Sequence, residues 1–446
     1  MASAAEQLAA NLNFGAFNKA TELKKRLWFT LGALIIYRLG TYIPMPGIDP
    51  VILKDIFRQQ AGGILGMFNM FAGGALGRMT IFALNIMPYI SAAIIMQLMT
   101  SISPTMSQLK KEGAQGQKKI NQYTRYLTVL IAAMQAYGMA VGIEGMRGTG
   151  GSAVISPGGF FRFTAVITLV GGTMFLMWLG EQITARGVGN GISLIIFAGI
   201  VAELPSALAG TLELGRTGAI STGIIMAILI MVVFVIYGIV FVERGQRRLV
   251  VQYPKRQQGN KMYGGENSHL PLKLNTSGVI PLIFASSLLL MPTTVISFMA
   301  NSGPEWLTTV SSLLGRGQPS YLIIYSALIA FFAFFYTAVV FNPEETADNL
   351  KKNGGFIPGI RPGKNTAEYL EYVTTRLTVV GAIYLVAVAL LPEILIANWS
   401  VPFFFGGTSL LIVVTVTMDT VAQVQSYMLA HQYEGLIKKS RLKGRR

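Results

Sequence analysis

The side chains that carry out most biological chemistry are nearly absent from this sequence. It has no cysteine and only two histidines, His269 and His431, both in polar stretches. Disulfides and thiolate or imidazole metal centres are therefore essentially excluded. The only Gly-Lys pair, Gly363-Lys364, is followed by Asn365 and has Pro358 where a P-loop has its first glycine, so no Walker-type nucleotide site is expected. No histidine lies within an apolar run, which removes the usual activator of a serine nucleophile in an intramembrane protease. The expectation is a protein that is not an enzyme and holds no metal or cofactor. Energy for any vectorial work then comes from a partner or from the membrane potential.

What surrounds these few polar groups is apolar. Of 446 residues, 52% are hydrophobic and 13% charged, and the mean hydropathy is +0.52, too high for a soluble globular chain of this size. Several runs reach the length a helix needs to cross a bilayer, and 49 glycines suit closely packed membrane helices. Ten spans are expected, at 27–43, 79–102, 124–143, 160–180, 188–208, 218–242, 275–299, 321–341, 375–397 and 402–427. With these spans, 28 of the 36 basic residues fall on one side and 7 on the other, with Arg38 inside the first run. The positive-inside rule then places both termini and the three large basic segments in the cytoplasm. The first 21 residues lack the basic, apolar and small-residue sequence of a cleavable signal, so the first span is expected to stay.

The same spans exclude further classes. Within them, clear of their boundaries, the reading singles out two ionisable groups, Arg38 near the outer end of the first and Asp419 near the cytoplasmic end of the last. Ion-coupled transporters keep carboxylates, histidines or paired charges near the midplane, and none is expected there. A secondary transporter of small solutes is the alternative reading; the preferred passenger is large and chemically variable.

Two stretches do not fit simple spans. Ile64 to Gly77 is apolar and glycine-rich but too short to cross. It reads either as an interfacial half-helix or as a re-entrant segment lining a cavity, in which Gly73, Gly74 and Gly77 allow movement. Between residues 243 and 273, basic and β-branched residues alternate around the Gly245-Gln246 pair, as in a protruding hairpin. Part of the +16 net charge is explained by orientation alone. Orientation does not require a loop this long, and an extended basic loop suits RNA phosphates or an acidic protein surface.

The runs TIFALNIMPYISAAIIMQLM (80–99) and WLGEQITARGVGNGISLII (178–196) closely resemble the two signature regions of the SecY family. The resemblance continues through VFVERGQRR (240–248), HLPLK (269–273), GVIPLIFASS (278–287), FNPEETADNLKK (341–352), PGIRPG (358–363) and PFFFGGTSLLIVV (402–414), and so covers essentially the whole chain. One departure is Asn85, where the family usually has glycine; how tightly the pore closes there is left to the structure.

The resemblance implies an all-α membrane protein of ten transmembrane helices, in two pseudo-symmetric halves (1–210 and 211–446) around a central pore, with a re-entrant plug helix at 64–76. It implies a protein-conducting channel for unfolded secretory polypeptides in the bacterial inner membrane, which releases transmembrane segments sideways into membrane lipids. The implied partners are SecE, SecG, the SecA motor ATPase and the ribosome. Carried onto this sequence, the pore ring falls on Ile86, Ile90, Ile192, Ile196, Ile283 and Ile412. The pairs Ile86/Ile90 and Ile192/Ile196 are spaced i, i+4 and share a helix face. Isoleucines at that spacing ordinarily face lipid or neighbouring helices; it is their coincidence with family motifs that favours a pore. The plug falls on Ile64, Leu65, Met67, Phe68, Asn69, Met70, Phe71, Gly73 and Gly74. The lateral gate lies between the second and seventh spans with Ser91 and Ser286 at the seam, where packing by small residues is the plainer account of each. Motor and ribosome docking falls on Arg247, Arg248, Lys255 and Arg256 of the 243–273 loop and on Arg361 of the 342–371 loop.

Overall fold

The protein is described from a computed structural model, which covers residues 21–53, 69, 72–145, 147–148, 151–218, 221–253, 256–258, 261–263, 267–299, 318–399 and 407–443. Among the described residues there are ten long helices. These are α1 (Thr21–Gly40), α2 (Met87–Ile102), α4 (Ala114–Gly145), α5 (Gly159–Arg186), α6 (Gly191–Arg216), α7 (Thr222–Arg244), α8 (Ile280–Met299), α9 (Pro319–Val340), α11 (Lys364–Trp399) and α12 (Gly407–Lys443). Two short helices, α3 (Pro104–Lys111) and α10 (Pro343–Lys352), lie between them. Among the described residues, seven helices are each long and apolar enough to cross a membrane, and Met87–Ile102 and Ile280–Leu289 are shorter apolar helices. Each long helix overlaps one expected run.

Local chemistry sets the helix ends. Asn190 caps α6, its side-chain oxygen accepting from the backbone N–H of Ile192 and Ser193 at 3.1 and 3.4 Å. Asn342 does the same for α10 through Glu344 and Glu345. There Pro343, the first-turn glutamates and the last-turn Lys351 and Lys352 complement the helix dipole.

The long helices share one apolar core, which draws buried residues from α1, α2, α4, α5, α6, α7, α8, α9, α11 and α12. Large apolar side chains such as Trp28, Phe160, Phe234 and Phe241 point outward instead. That inversion suits a lipid solvent, in which an outward-facing phenylalanine loses nothing.

The turn between α5 and α6 is tied to two other helices. Val188 N–H donates to Thr30 Oγ1 of α1 (3.0 Å), Gly189 N–H to Gln423 Oε1 of α12 (2.9 Å), and Gly191 N–H to Thr184 Oγ1 of α5 (2.8 Å). Backbone donors that a membrane leaves without water are satisfied this way. The start of α6 is thereby fixed in position and rotation.

Strands are few. β1 (Arg147–Gly148) pairs with β2 (Gly151–Ser152) beside the start of α5. β3 (Gln246–Gln252) pairs antiparallel with β6 (Asn267–Lys273), and β4 (Arg256–Gln258) with β5 (Lys261–Tyr263). The expected hairpin is thus present in altered form. Gly245 caps α7 rather than forming a turn between strands, and the whole 246–252 segment is one strand whose partner begins at Asn267.

Candidate functional site: an apolar constriction and a basic projection

Five of the six isoleucines singled out in the sequence meet. Ile86, Ile90, Ile196, Ile283 and Ile412 line one cavity of about 10 Å³ together with Asn85, Met87, Ser286 and Ser287. All five are buried. A space of this size is at the lower limit for one water molecule, roughly 10–15 Å³, and its walls are largely apolar. It is contributed by α2, α6, α8 and α12, so four helices distant in sequence converge on one point. A tight ring of branched apolar side chains excludes ions by remaining dry.

Ile192 is absent from that lining. A side-chain carbon built on Gly180 of α5 would lie 3.2 Å from Ile192 Cγ1, so Ile192 packs toward α5, while Ile196, one turn further along, faces the cavity. An i, i+4 pair on a straight helix drifts around its axis by about 40°, and the rotation imposed on α6 leaves only the second member inside.

The second expected span is also corrected. Residues 79–86 form turns, and Met79 and Asn85 have left-handed backbones with φ of 44° and 50°. Helix α2 begins only at Met87, with Pro88 in its first turn, where a missing N–H costs nothing. Ile86 caps it, and its carbonyl accepts from Ile90 N–H at 3.1 Å, which keeps the two isoleucines on one side.

Where α2 meets α8, the hydroxyl that reaches across is Ser287, donating to Met87 Sδ at 3.6 Å. Ser286 lines the cavity and donates to Ile283 O of its own helix at 3.0 Å. Ser91 is buried, and among the described residues its hydroxyl has no hydrogen-bond partner. The sequence motifs point to Ser286 and the structure puts Ser287 against Met87; adjacent serines on one helix cannot be separated without knowing its rotation.

Of the expected plug, Ile64, Leu65, Met67, Phe68, Met70 and Phe71 lie outside the described residues. Asn69 is described: its side-chain oxygen accepts from Gly77 N–H at 2.6 Å, and its carbonyl from Gly74 N–H at 2.8 Å. Gly73 and Gly74 have φ of 63° and 78°. The Gly73 carbonyl accepts from Arg38 at 2.7 Å and from Arg78 at 2.9 Å, and both guanidiniums lie over the Tyr42 ring. These glycines therefore serve left-handed turns and close approach, with Gly73 against Gly199 of α6. Arg38 turns inward to this carbonyl. Glu203 of α6 is a further ionisable group inside an expected span, and its carboxylate lies against Gly74.

The basic segments form a second region. β3 and β6 share a small core with the 342–371 segment and the start of α11: Leu249, Leu272, Ile357, Leu370, Val373 and Leu377 are buried together. Gln252 and Phe356 exchange two backbone hydrogen bonds of 2.9 and 3.0 Å, and this bridge joins the two loops into one unit. Arg247, Arg248 and Arg361 are exposed on it. Gly359 and Gly363, with φ of 84° and 109°, bracket Arg361, whose carbonyl accepts from Thr366 Oγ1 at 2.9 Å. Arg256 lies in β4, and Lys255 lies outside the described residues. His269 sits exposed on β6 opposite Val250, and among the described residues no group of three or more histidines and carboxylates that could hold a metal occurs.

A multi-pass helical bundle converging on a small isoleucine-lined constriction, with a folded basic projection, suits a membrane channel. Comparison with known proteins assigns it more closely: the SecY family's sequence profile matches residues 80–421. The protein translocase subunit SecY of Escherichia coli K12 is 57% identical over 95% of this chain and 96% of its own length, and that of Vibrio cholerae 54% identical over the same shares. In fold, the chain matches a protein-conducting channel with a TM-score of 0.66 at 18% identity, covering 91% of this chain and 92% of that one. It also matches Sec61 of the canine ribosome-channel complex with a TM-score of 0.63 at 17% identity, over the same shares. This chain belongs to the SecY family.

Proposed function

We propose that this chain is the channel subunit of a protein translocon, passing unfolded secretory polypeptides across the bacterial inner membrane and releasing transmembrane segments into lipid. The observation that carries the reading is the single small cavity on which Ile86, Ile90, Ile196, Ile283 and Ile412 converge, in a chain of this family. An apolar ring grips no passenger specifically and seals against ions when empty.

The seam of α2 and α8, closed by Ser287 and Met87, is the lateral gate, where a passenger segment partitions according to its transfer free energy. Residues 64–76 are the plug on the outer side of the ring. The halves 1–210 and 211–446 are the two jaws around the pore. The unit carrying Arg247, Arg248 and Arg361 is the cytoplasmic docking surface for the SecA motor and the ribosome, and SecE and SecG are the membrane partners. Both termini are cytoplasmic, in keeping with the distribution of basic residues.

The test is a photo-crosslinker at position 86 or 283, with position 192 and lipid-facing position 39 for comparison, in a channel holding a stalled secretory chain. Strong adducts at 86 and 283 and weaker ones at 192 and 39 are expected. Absence of adducts at 86 and 283 would overturn the reading.

A further inference from the structure

The basic ribbon runs into α8 through a short connector, residues 274–279, and one buried side chain holds that connector in place. Asn275 is 3% exposed. Its carboxamide nitrogen donates to Glu243 Oε1 at the end of α7 (2.7 Å) and to the Gly278 carbonyl (3.0 Å), and its oxygen accepts from Ser277 Oγ at 3.0 Å. The bonds to Ser277 and Gly278 are enough to make the turn, in which Gly278 has φ of 62°. The bond to Glu243 does something else, because it reaches a second helix 32 residues away in the chain.

The place of that bond in the fold gives it leverage over α8. Glu243 lies just before β3 and Asn275 just after β6, and between them Leu274 N–H donates to the Gly245 carbonyl at 3.0 Å. Two rungs therefore close the base of the ribbon. The connector also packs on α11, where a side-chain carbon built on Gly381 would lie 3.1 Å from the Leu274 carbonyl. From Ile280 onward α8 carries Ile283 to the constriction and Ser287 to Met87. A helix is stiff over two turns, so the angle fixed at its start decides where both side chains arrive. A hydrogen bond to a carboxylate is about twice as strong as one between neutral groups, and sheltered from water it holds that angle firmly.

We propose that Asn275 is a positioning residue of the α2–α8 seam: through its bond to Glu243 it clamps the start of α8 to the end of α7 and holds α8 in the closed arrangement. This deepens the reading of the seam as the lateral gate and rests on it.

The test reverses the bond. In Asn275→Asp a carboxylate faces the Glu243 carboxylate and the clamp is lost. Adding Glu243→Gln supplies an amide that donates back, whereas Glu243→Gln alone still offers an oxygen to Asn275. The position of α8 is read from the rate of disulfide formation between Met87→Cys and Ser287→Cys, in a chain that has no other cysteine, and the barrier from resting conductance of the reconstituted complex. In Asn275→Asp the disulfide should form more slowly and conductance should rise about tenfold, the factor that one hydrogen bond to a charged group supplies. Both should return toward the unmodified values in the double variant. Lowering the pH from about 8 to about 6 should relieve the Asn275→Asp variant alone, since two facing carboxylates can share one proton. Among the described residues, Lys273 of β6, Asp419 of α12 and Tyr384 of α11 are the other titratable groups that face Glu243, and they are the same in every variant. Glu243→Ala cuts the clamp but leaves the turn bonds of Asn275, so it should slow the disulfide too, and it serves if Asn275→Asp fails to assemble. An unchanged disulfide rate in Glu243→Ala, or a defect in Asn275→Asp that neither the second substitution nor low pH relieves, would overturn the proposal. A slower disulfide with unaltered conductance would leave the clamp standing and remove the reading of the seam as a gate.

Discussion

The constriction and the basic projection are built on opposite terms. The constriction gathers buried, mostly uncharged side chains from α2, α6, α8 and α12 around a cavity of about 10 Å³. The projection exposes Arg247, Arg248 and Arg361 on a ribbon-and-loop unit with its own small core. A seal depends on volume and dryness, so it tolerates a change of apolar residue and fails on a change of size or polarity. A docking surface depends on charge held in a fixed place, so it fails when charge is reversed or when the frame under it loosens. On the proposed roles, the barrier and the docking of partners should therefore be separable by mutation.

The largest expected effect breaks the first region. Replacing Ile86, Ile196 and Ile283 together with serine admits water to the ring, and resting conductance in planar bilayers should rise more than about tenfold. Ile192→Ser alone should leave it nearly unaltered, because Ile192 packs toward Gly180. Equal leak from both variants would contradict the rotation of α6 described above.

Next in size is Arg361→Glu. An arginine held between two left-handed glycines presents its guanidinium for bidentate pairing with a carboxylate or phosphate. Reversal should weaken motor binding by about a hundredfold or more and stop motor-driven translocation, with resting conductance unaltered. Normal motor affinity would leave this loop without a docking role.

Loosening the frame without touching charge should cost less. Leu370 is fully buried in the small core, and Leu370→Ala is expected to destabilise that unit by about 2–5 kcal/mol. Local proteolysis of the 246–273 ribbon should accelerate and docking weaken, while the ring stays sealed. Arg247→Glu on the exposed ribbon should lower docking affinity by only about five- to tenfold. Raising salt in the unmodified protein should reproduce that loss, since exposed charges are screened. Insensitivity of docking to salt would point to an apolar contact instead.

The smallest effect lies at the seam between α2 and α8. Ser287→Ala removes a hydroxyl bonded to a thioether, a weak acceptor, and should change stability by about 0.5 kcal/mol or less. A channel with this change should accept defective signal sequences slightly more readily, measured by translocation of a signal-mutated preprotein. A decrease instead would place Ser287 among contacts that hold the open state.

The sequence by itself placed ten apolar runs, each overlapped by one long helix, because a helix must be apolar for about twenty residues to cross lipid and charges must fall between such runs. It also marked out the basic segments, because charged residues collect between the apolar runs. Family motifs brought five of the ring isoleucines within reach of inference.

What only the tertiary structure decided depends on rotation and long-range pairing. Whether Ile192 or Ile196 faces the cavity follows from how Gly180 and the 187–191 turn seat α6, and the choice of Ser287 over Ser286 follows from how α8 meets Met87. The turn at 79–86 was hidden because an apolar run reads the same whether helical or not. The inward bond of Arg38, the position of Glu203 against Gly74, and the Gln252–Phe356 bridge that fuses two loops all join residues far apart in the chain. No periodicity records such partners: local spacing fixes which side chains share a face, but only packing against the rest of the molecule fixes where that face looks.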